Sequence, residues 1–392
     1  MRLSELLRRE DAESLICQTL ASGWSEQFNQ EIRISPSGTG QAWRYQSLLS
    51  VIVTPDIEPA PRQFVRELFR FSPRPWRVVP QWFVGTALTT SAGLRFTSHP
   101  FFRATPGLQE AQQVVVLPGN QRIRTLHFGL GTTRVFLKTG FSDASIKTEV
   151  AIRGAGQDGP FIPIERHDPN WQWFEESIFD GFALSRCPTW FPKARLAKQA
   201  LDDHDQWLRR SRRELPTSEH CETRLSTIRS AISDMHSRFP EDSATLDELV
   251  RLGTILASEA SAAPTCAVGV GHGDLQAGNI LVDRKGQRAW LSDWEASAEQ
   301  YEHYDRMVFA LHMRAPSGLA RRIQRYVDGH RTPAPLSELP QDREWRHRAV
   351  SLSLLENLRW QAEQCASGVY SRVPPDLTDF LGELRLYCAS GS

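Results

Sequence analysis

Runs of apolar and β-branched residues predict a β-rich first part of the chain. Three short runs lie between Val114 and Gly140, separated by a Pro-Gly-Asn turn and a Gly-Leu-Gly-Thr-Thr turn. The next segment, SDASIKTEVAIRG, predicts a helix with Ser142 or Asp143 as its N-cap. Two further strand-like segments follow it, FIPIERHD and WQWFEES. Together these patterns predict a small sheet with one early helix.

Apolar residues spaced three or four positions apart predict that the second half of the chain is mainly helical. The spacing recurs in KARLAKQALDDHDQWLRRSRR, TRLSTIRSAISDMHSRF and ATLDELVRLGTILAS. It returns around residues 304–313, 344–364 and 377–388. The arginine-rich residues 314–348 share the spacing, which favours a solvated helical face over a polyanion-binding site.

A single predicted hairpin interrupts these helices. It lies within GHGDLQAGNILVDRKGQRAWLSDWE, residues 271–295, directly after a short apolar run. Residues 280–282 form the first strand, residues 283–286 supply a polar turn closed by glycine, and residues 288–291 form the return strand.

Composition and charge narrow the class of protein. Of 392 residues, 40% are hydrophobic and 23% are charged, as in ordinary globular proteins. Lys plus Arg and Asp plus Glu both number 46, so no chain-wide field attracts nucleic acid or a membrane. The six cysteines are scattered without a CxxC pair, which argues against a disulfide framework or a zinc site. Without a signal-peptide core or a long apolar run, we expect a soluble cytoplasmic protein with no membrane span.

Three polar side chains flank the predicted hairpin. Asp274 and Asn279 lie in the loop that enters it, and Asp293 lies just past its far end. Because a hairpin brings its outer ends together, we expect these groups to cluster. Mg²⁺ prefers hard oxygen ligands and keeps several positions for phosphates, so Asn279 and Asp293 suit it. Asp274 would then accept the proton of an attacking hydroxyl, as metal-assisted phosphoryl transfer requires.

The segment HGDLQAGN followed by LSDWE resembles the aminoglycoside phosphotransferase and choline kinase group of small-molecule kinases. The pattern of that group, H-G-D-x-x-x-x-N before a hairpin and D-W-E, is matched by His272, Gly273, Asp274, Asn279 and Asp293. The resemblance implies an α+β, two-lobed protein-kinase-like fold, with a small β-rich N-lobe and a mainly helical C-lobe. It also implies an enzyme that uses ATP and Mg²⁺ to phosphorylate a hydroxyl, with Asp274 catalytic and His272 and Gly273 supporting its loop.

An ATP-binding lobe upstream of the motif follows from the same resemblance. Lys138, in RVFLKTG, lies where the group places the lysine that contacts the α- and β-phosphates, and Glu149 on the next helix is its expected partner. The chain has no GxGxxG motif here. Gly119 and Asn120 in the first turn would therefore cover the phosphates, with the GLGTT turn as the alternative.

The end of this lobe would form a hinge to the larger lobe. The resemblance places the adenine against backbone groups of Ser177 and Phe179, with Gly181 marking the turn. The alternative is that EESIFDG is only a loop between two elements.

The acceptor is weakly specified by the sequence. Aromatic and acidic residues, which suit a cationic acceptor such as choline or an aminoglycoside, follow Asp293 or lie on a late helix. They are Trp294, Glu295, Tyr301, Glu302, Tyr304, Asp305, Glu356 and Trp360. The alternative is that the aromatics pack the core and the acids are solvated, and a sugar hydroxyl suits the site about as well.

A small-molecule or carbohydrate acceptor is favoured over a protein. Gly273 stands where protein kinases commonly have arginine, and only about ten residues separate Asp293 from the next helical stretch. That space holds no long activation segment. A kinase-fold protein that binds nucleotide or a partner without transferring phosphate is the other alternative, although no base or metal group is missing.

Three segments are therefore expected. Residues 1–110 form an N-terminal α/β extension, residues 111–181 the ATP-binding lobe and hinge, and residues 182–392 the helical lobe with the catalytic loop and acceptor site. The extension contains several Trp and Phe to bury but no motif with recognisable chemistry. It could extend the sheet, shape the acceptor site or bind a partner.

Overall fold

The chain divides into a β-rich unit and a mainly helical unit. The computed structural model describes residues 11–69, 75–154, 158–367 and 373–391. The first compact unit comprises residues 1–158 and 162–191, and the second comprises residues 159–161 and 192–392. The predicted α+β fold class, with a β-rich part before a helical part, is confirmed.

One antiparallel sheet, of nine strands within the described ranges, forms the centre of the first unit. The strands are β1 (Arg33–Ser35), β2 (Gln41–Gln46), β3 (Val51–Val53), β4 (His99–Thr105), β5 (Val114–Pro118), β6 (Arg122–His127), β7 (Thr132–Leu137), β8 (Arg166–His167) and β9 (Trp173–Ser177). Their order is β1-β4-β2-β3-β5-β6-β7-β9-β8. Strands β5 to β7 are the three predicted from the sequence. Strands β1 to β4 join the same sheet, so the N-terminal segment extends it.

Five helices of the first unit are described around this sheet. They are α1 (Ala12–Gln27), α2 (Pro59–Phe69), α3 (Pro75–Leu88), α4 (Ser91–Thr97) and α5 (Ala144–Arg153). A short strand, β10 (Gly181–Ala183), follows β9. Helix α1 buries Trp24 against the sheet, and a Cβ at Gly23 would lie 2.4 Å from the Phe136 ring. The close approach of α1 to β7 therefore requires glycine there.

The second unit is mainly helical, and the helices after α6 share one apolar core. The helices described in it are α6 (Lys193–Arg209), α7 (Thr217–Arg238), α8 (Ser243–Ala260), α9 (Tyr304–Leu311), α10 (Leu319–Val327), α11 (Arg343–Ser367) and α12 (Pro375–Gly391). The six helical stretches predicted from residue spacing correspond to α6 to α9, α11 and α12. Among the residues that the structure describes, no helix is long and apolar enough to cross a membrane.

Short strands in the second unit position the loop that carries Asp274. An antiparallel sheet joins β11 (Arg213–Pro216), β12 (Thr265–Gly271) and β15 (Ala298–Tyr301). The loop that carries Asp274 begins where β12 ends. It leads into the predicted hairpin, which consists of β13 (Ile280–Asp283) and β14 (Ala289–Leu291).

Candidate active site

The hairpin returns the chain to Asn279, as its predicted geometry requires. Ile280 pairs with Leu291 at the open end of the β13–β14 ladder. Beyond that pair, the backbone N–H of Ser292 donates to the Asn279 carbonyl at 2.9 Å, and its hydroxyl donates to the same oxygen at 3.2 Å. Asp293 is the next residue, so the backbones that carry Asn279 and Asp293 converge.

Asp274 is held by three side-chain donors. Its Oδ1 accepts from Nε of Arg314 at 2.6 Å, while its Oδ2 accepts from Gln276 at 3.0 Å and from Asn279 at 3.1 Å. Nδ2 of Asn279 also donates to the Asp274 carbonyl at 2.8 Å. These bonds use the amide nitrogen of Asn279, so its amide oxygen is the atom suited to a cation. The Asp274 side chain is 18% exposed and therefore within reach of a ligand.

Asp293 has a left-handed backbone, with φ 69° and ψ 54°. Non-glycine residues adopt this conformation uncommonly, with Asp among those that do so most readily, and such residues cluster at functional sites where the surrounding structure enforces it. Here the enforcing elements are β14 before Asp293 and a tight 3-10 turn after it, Trp294–Ala296. The strain lies at the residue that the sequence predicted as a metal ligand.

The magnesium prediction depends on two oxygen donors. No group of three or more His, Cys, Asp or Glu side chains capable of holding a metal is found among the described residues. The amide oxygen of Asn279 and the carboxylate of Asp293 nevertheless fit Mg²⁺, which typically takes one or two protein ligands and fills its other positions with phosphate oxygens and water.

Asp305, on α9, holds the loop that carries Asp274 through hydrogen bonds to its backbone. Its buried carboxylate accepts the backbone N–H groups of His272 at 2.7 Å and Gly273 at 3.0 Å, and it forms an ion pair with His204 at 2.9 Å. Burial raises the pKa of Asp305, but the His204 charge outweighs it and lowers the pKa to about 2. Burial likewise lowers the pKa of His204, but Asp305 and Asp205 raise it to about 9. Both partners are therefore charged at neutral pH.

His272 and Gly273 have separate physical reasons for their places in the loop. The His272 ring contacts the Ser292 carbonyl through Nε2 at 2.8 Å, and its Nδ1 accepts the Asp274 backbone N–H at 3.3 Å. The hydrogen-bond network thus assigns the proton to Nε2. Gly273 has φ +82°, and a Cβ there would lie 2.0 Å from the Ala296 carbonyl oxygen. Only glycine fits that position.

Arg314 is a buried site residue that the sequence did not reveal. Besides Asp274, its guanidinium donates to the Gly273 carbonyl at 2.6 Å, to the Tyr304 hydroxyl at 3.1 Å and to the amide oxygen of Asn357. It lies 3.6 Å from the Trp360 ring centroid, at cation–π distance. The prediction that the arginine-rich residues 314–348 form a solvated helical face is therefore wrong at Arg314. Its spacing resembles that of any surface arginine, so the sequence carried no signal for its burial.

Most of the predicted acceptor residues lie inside the second unit. Trp294, Tyr301, Tyr304, Asp305 and Glu356 are buried, and this contradicts direct contact with an acceptor. Glu356 accepts from Arg224 at 2.9 Å and from the Tyr301 backbone N–H at 3.0 Å. Burial raises the pKa of Glu356, but Arg224, His220 and Arg359 together lower it below its usual range.

The other three acceptor candidates are less enclosed. Glu302 forms an ion pair with Arg212 at 2.8 Å, and Trp360 packs against Arg314. Glu295 is half-buried in the turn after Asp293. Cationic side chains of the chain itself contact Glu302 and the ring of Trp360, and contact of either residue with an acceptor stays a prediction.

Two residues predicted to bind ATP, Lys138 and Glu149, lie on consecutive elements of the first unit. Lys138, at the end of β7, is 0% exposed, and its ammonium lies 5.7 Å from the Phe141 ring centroid. Glu149, buried on α5, forms ion pairs with Arg122 at 2.6 Å and with Arg153. Burial raises the pKa of Glu149, but the two arginines lower it to about 2. The sequence missed both arginines, and pairing of Glu149 with Lys138 stays a prediction.

The predicted phosphate turn and hinge lie at two loops of this sheet. In the turn, the Gly119 backbone N–H donates to the Arg122 carbonyl at 2.8 Å, and Asn120 follows. A Cβ at Gly119 would lie 2.8 Å from that oxygen, so the turn favours glycine. At the hinge, Ser177 ends β9 and Phe179 lies in the following loop. Their contacts with ATP stay predictions.

Solved structures are similar to this chain, whereas no family model and no curated protein matches it. The match to an ethanolamine kinase of Plasmodium vivax covers 84% of this chain and 94% of that chain, with 12% identity and a TM-score of 0.43. The match to aminoglycoside phosphotransferase APH(3'')-Id from Streptomyces rimosus covers 61% of this chain and 92% of that chain, with 15% identity and a TM-score of 0.36. The match to a thermostable mutant of aminoglycoside phosphotransferase APH(4)-Ia, in complex with ADP and hygromycin B, covers 71% of this chain and 94% of that chain. Its identity is 13% and its TM-score is 0.44. At such identities and TM-scores these matches carry no argument about this chain, so its function has to be argued from the site.

Proposed function

We propose that this chain is a kinase that transfers the γ-phosphate of ATP to a hydroxyl of a small molecule or carbohydrate. The observation that carries the proposal is the arrangement around Asp274. Its carboxylate is oriented by Arg314, Gln276 and Asn279, at the mouth of a hairpin whose far end returns to Asn279. A base beside two oxygen ligands is the constellation that phosphoryl transfer needs.

In the proposed mechanism the protein mainly positions the reactants. Mg²⁺, held by the Asn279 amide oxygen and the Asp293 carboxylate, would neutralise charge on the phosphate oxygens. Asp274 would bind the acceptor hydroxyl and take its proton as the hydroxyl oxygen bonds to the γ-phosphorus and the bond from that phosphorus to the ADP oxygen breaks. The transition state of this reaction is loose, so orienting the hydroxyl matters more than removing its proton early. Lys138 is proposed to contact the α- and β-phosphates.

A neutral hydroxyl acceptor, such as a sugar, is favoured over a cationic one. Asp305 and Glu356, which could attract a cation, are buried and neutralised by His204 and Arg224. The guanidinium of Arg314 lies directly at Asp274, where a cationic acceptor would be repelled. Both observations favour an acceptor that binds through hydroxyl groups.

Calorimetric titration of ATP, with and without Mg²⁺, tests nucleotide use first. We expect magnesium-dependent binding by the wild type and weaker binding by Asp293→Asn. Sugars and amino alcohols are then screened for acceptor-dependent ADP release, with Asp274→Asn as the control that binds ATP without transfer. Binding with no transfer to any acceptor would favour the alternative of a nucleotide-binding protein. Absence of binding under all conditions would contradict the proposal.

A further inference from the structure

The first unit exposes large apolar side chains that the proposed function does not use. Five of these side chains lie on α3 and α4, which pack against each other. We name them the docking face, which comprises Val79, Trp82, Phe83, Val84 and Phe96. Phe83 is 63% exposed and Phe96 is 89% exposed, and the rings of Trp82 and Phe83 are in edge contact at 4.9 Å. Single exposed apolar residues are common, but a group of this size marks an interaction surface.

Helix α3 is apolar around most of its circumference. Its sequence, PWRVVPQWFVGTAL, offers only Arg77, Gln81 and Thr86 as polar residues. On one side, Gly85 and Leu88 are buried, whereas Trp82, Phe83 and Val84 point outward. A helix that is apolar all round is normally covered on every side. The outward side of α3 therefore has the composition of a contact surface.

Positive charge accompanies this face. The described residues 59–69 and 75–97, which form α2, α3 and α4, include four Arg and one Glu, with no Lys or Asp, in a chain whose total net charge is zero. Arg77 and Arg95 are exposed and Arg66 is half-buried. Arg95 also forms an exposed ion pair with Asp56 at 3.0 Å, upstream of α2. The segment keeps a clear excess of positive charge.

We propose that the docking face binds the surface of a membrane that contains anionic lipids. Helices that lie in the boundary between headgroups and acyl chains bury a face rich in Trp, Phe or Leu there and carry Lys or Arg on their polar side. The aromatic side chains would enter this boundary, and the arginines would contact the lipid phosphates. This inference goes beyond the proposed kinase activity and does not depend on it.

Two other occupants fit the observations less well. In a symmetric dimer the same patch faces itself, so the arginines of one copy would face those of the other and repel them. A protein partner would need a pocket shaped for the protruding Phe96 and Phe83 rings. A bilayer needs no such pocket, because its acyl chains rearrange around inserted side chains.

Vesicle co-sedimentation of the full chain tests the proposal. The probes are vesicles of phosphatidylglycerol with phosphatidylcholine, and vesicles of phosphatidylcholine alone. The apolar variant is Trp82→Ser with Phe83→Ser, and the charge variant is Arg66→Gln, Arg77→Gln and Arg95→Gln together. Trp190→Ser is the matched control, because Trp190 is 77% exposed in the same unit but lies outside the docking face.

We expect the wild type and the Trp190→Ser control to bind only the anionic vesicles. Binding should fall about fivefold for each arginine removed, and at least about tenfold in the apolar variant. Raising the salt concentration from about 0.1 M to about 1 M should remove most of the arginine contribution, since the Debye length falls from about 10 Å to about 3 Å.

Three results would overturn the proposal. One is that the wild type fails to bind either vesicle, and another is that both variants bind as the wild type does. The third is a dimer in solution that Trp82→Ser with Phe83→Ser dissociates, without vesicle binding, which would assign the face to a second copy. If the apolar variant does not fold, Arg77→Gln with Arg95→Gln alone decides, because both of these side chains are exposed.

Discussion

Arg314 provides the most informative perturbation of the site. Arg314→Lys keeps a positive charge but replaces a planar fork by a single ammonium, whereas Arg314→Met removes the charge and keeps much of the volume. The fork now joins four acceptors: Asp274, Gly273, Tyr304 and Asn357. A lysine at this position can reach at most some of them.

The expected magnitudes follow from burial. Arg314 is 10% exposed and Asp274 is 18% exposed, so removing the guanidinium leaves a nearly buried carboxylate without its cation. Breaking such a pair typically costs about 3–5 kcal/mol of stability. A displacement of the base by about 1 Å lowers transfer by about 100-fold. We therefore expect Arg314→Met to lose both stability and turnover, and Arg314→Lys to lose turnover mainly.

The assay combines thermal unfolding with the kcat and KM of transfer to the acceptor that the screen identifies. For Arg314→Lys we expect kcat to fall by about 100-fold while the KM for ATP changes little. Arg321→Met, an exposed arginine on α10, is the matched control and should behave as the wild type. A wild-type kcat in Arg314→Lys would refute the argument that the fork orients Asp274.

Three further predictions concern the catalytic loop. Asp274→Asn should leave ATP binding nearly unchanged in calorimetry but lower transfer by several orders of magnitude; retained transfer would move the base elsewhere. The ion pair raises the pKa of His204 to about 9 and contributes stability that is fully present below pH 6.5. This stability is lost as the pH rises through about 9. In His204→Gln the free energy of unfolding should therefore change by about 3 kcal/mol less across that pH window than in the wild type. An unchanged slope would contradict the ion pair with Asp305. Gly273→Ala should destabilise the loop against the Ala296 carbonyl and abolish transfer; an active, stable variant would disprove the steric argument.

Local elements of the fold were predictable from local patterns. Strands β5 to β7, the β13–β14 hairpin and most helices follow from residue spacing and turn chemistry, which act over a few residues. The segment FIPIERHD shows the limit of this approach. It forms only the two-residue strand β8, and Pro163 within it cannot donate to a ladder.

The parts of the site that escaped prediction depend on contacts between distant residues. Asp305 resembled a ligand-binding carboxylate in sequence, yet it folds under the loop that carries His272, 33 positions away. Arg314 lies 40 positions from the carboxylate that it contacts. The sequence does not distinguish a buried charged residue from an exposed one. Such pairs are therefore seen only in the folded structure.

The ion pairs around Glu149 bear on how this protein can be regulated. Glu149 and Arg153 belong to α5, Arg122 belongs to β6, and Arg153 also pairs with Glu176 on β9. Swinging α5 away from the sheet would separate buried charges, at a cost of about 3–5 kcal/mol for each pair broken. Ion pairs that join α5 to β6 and β9 therefore resist displacement of this helix from the sheet. In the proposed kinase, turnover would then follow the supply of nucleotide and acceptor and not a movement of α5.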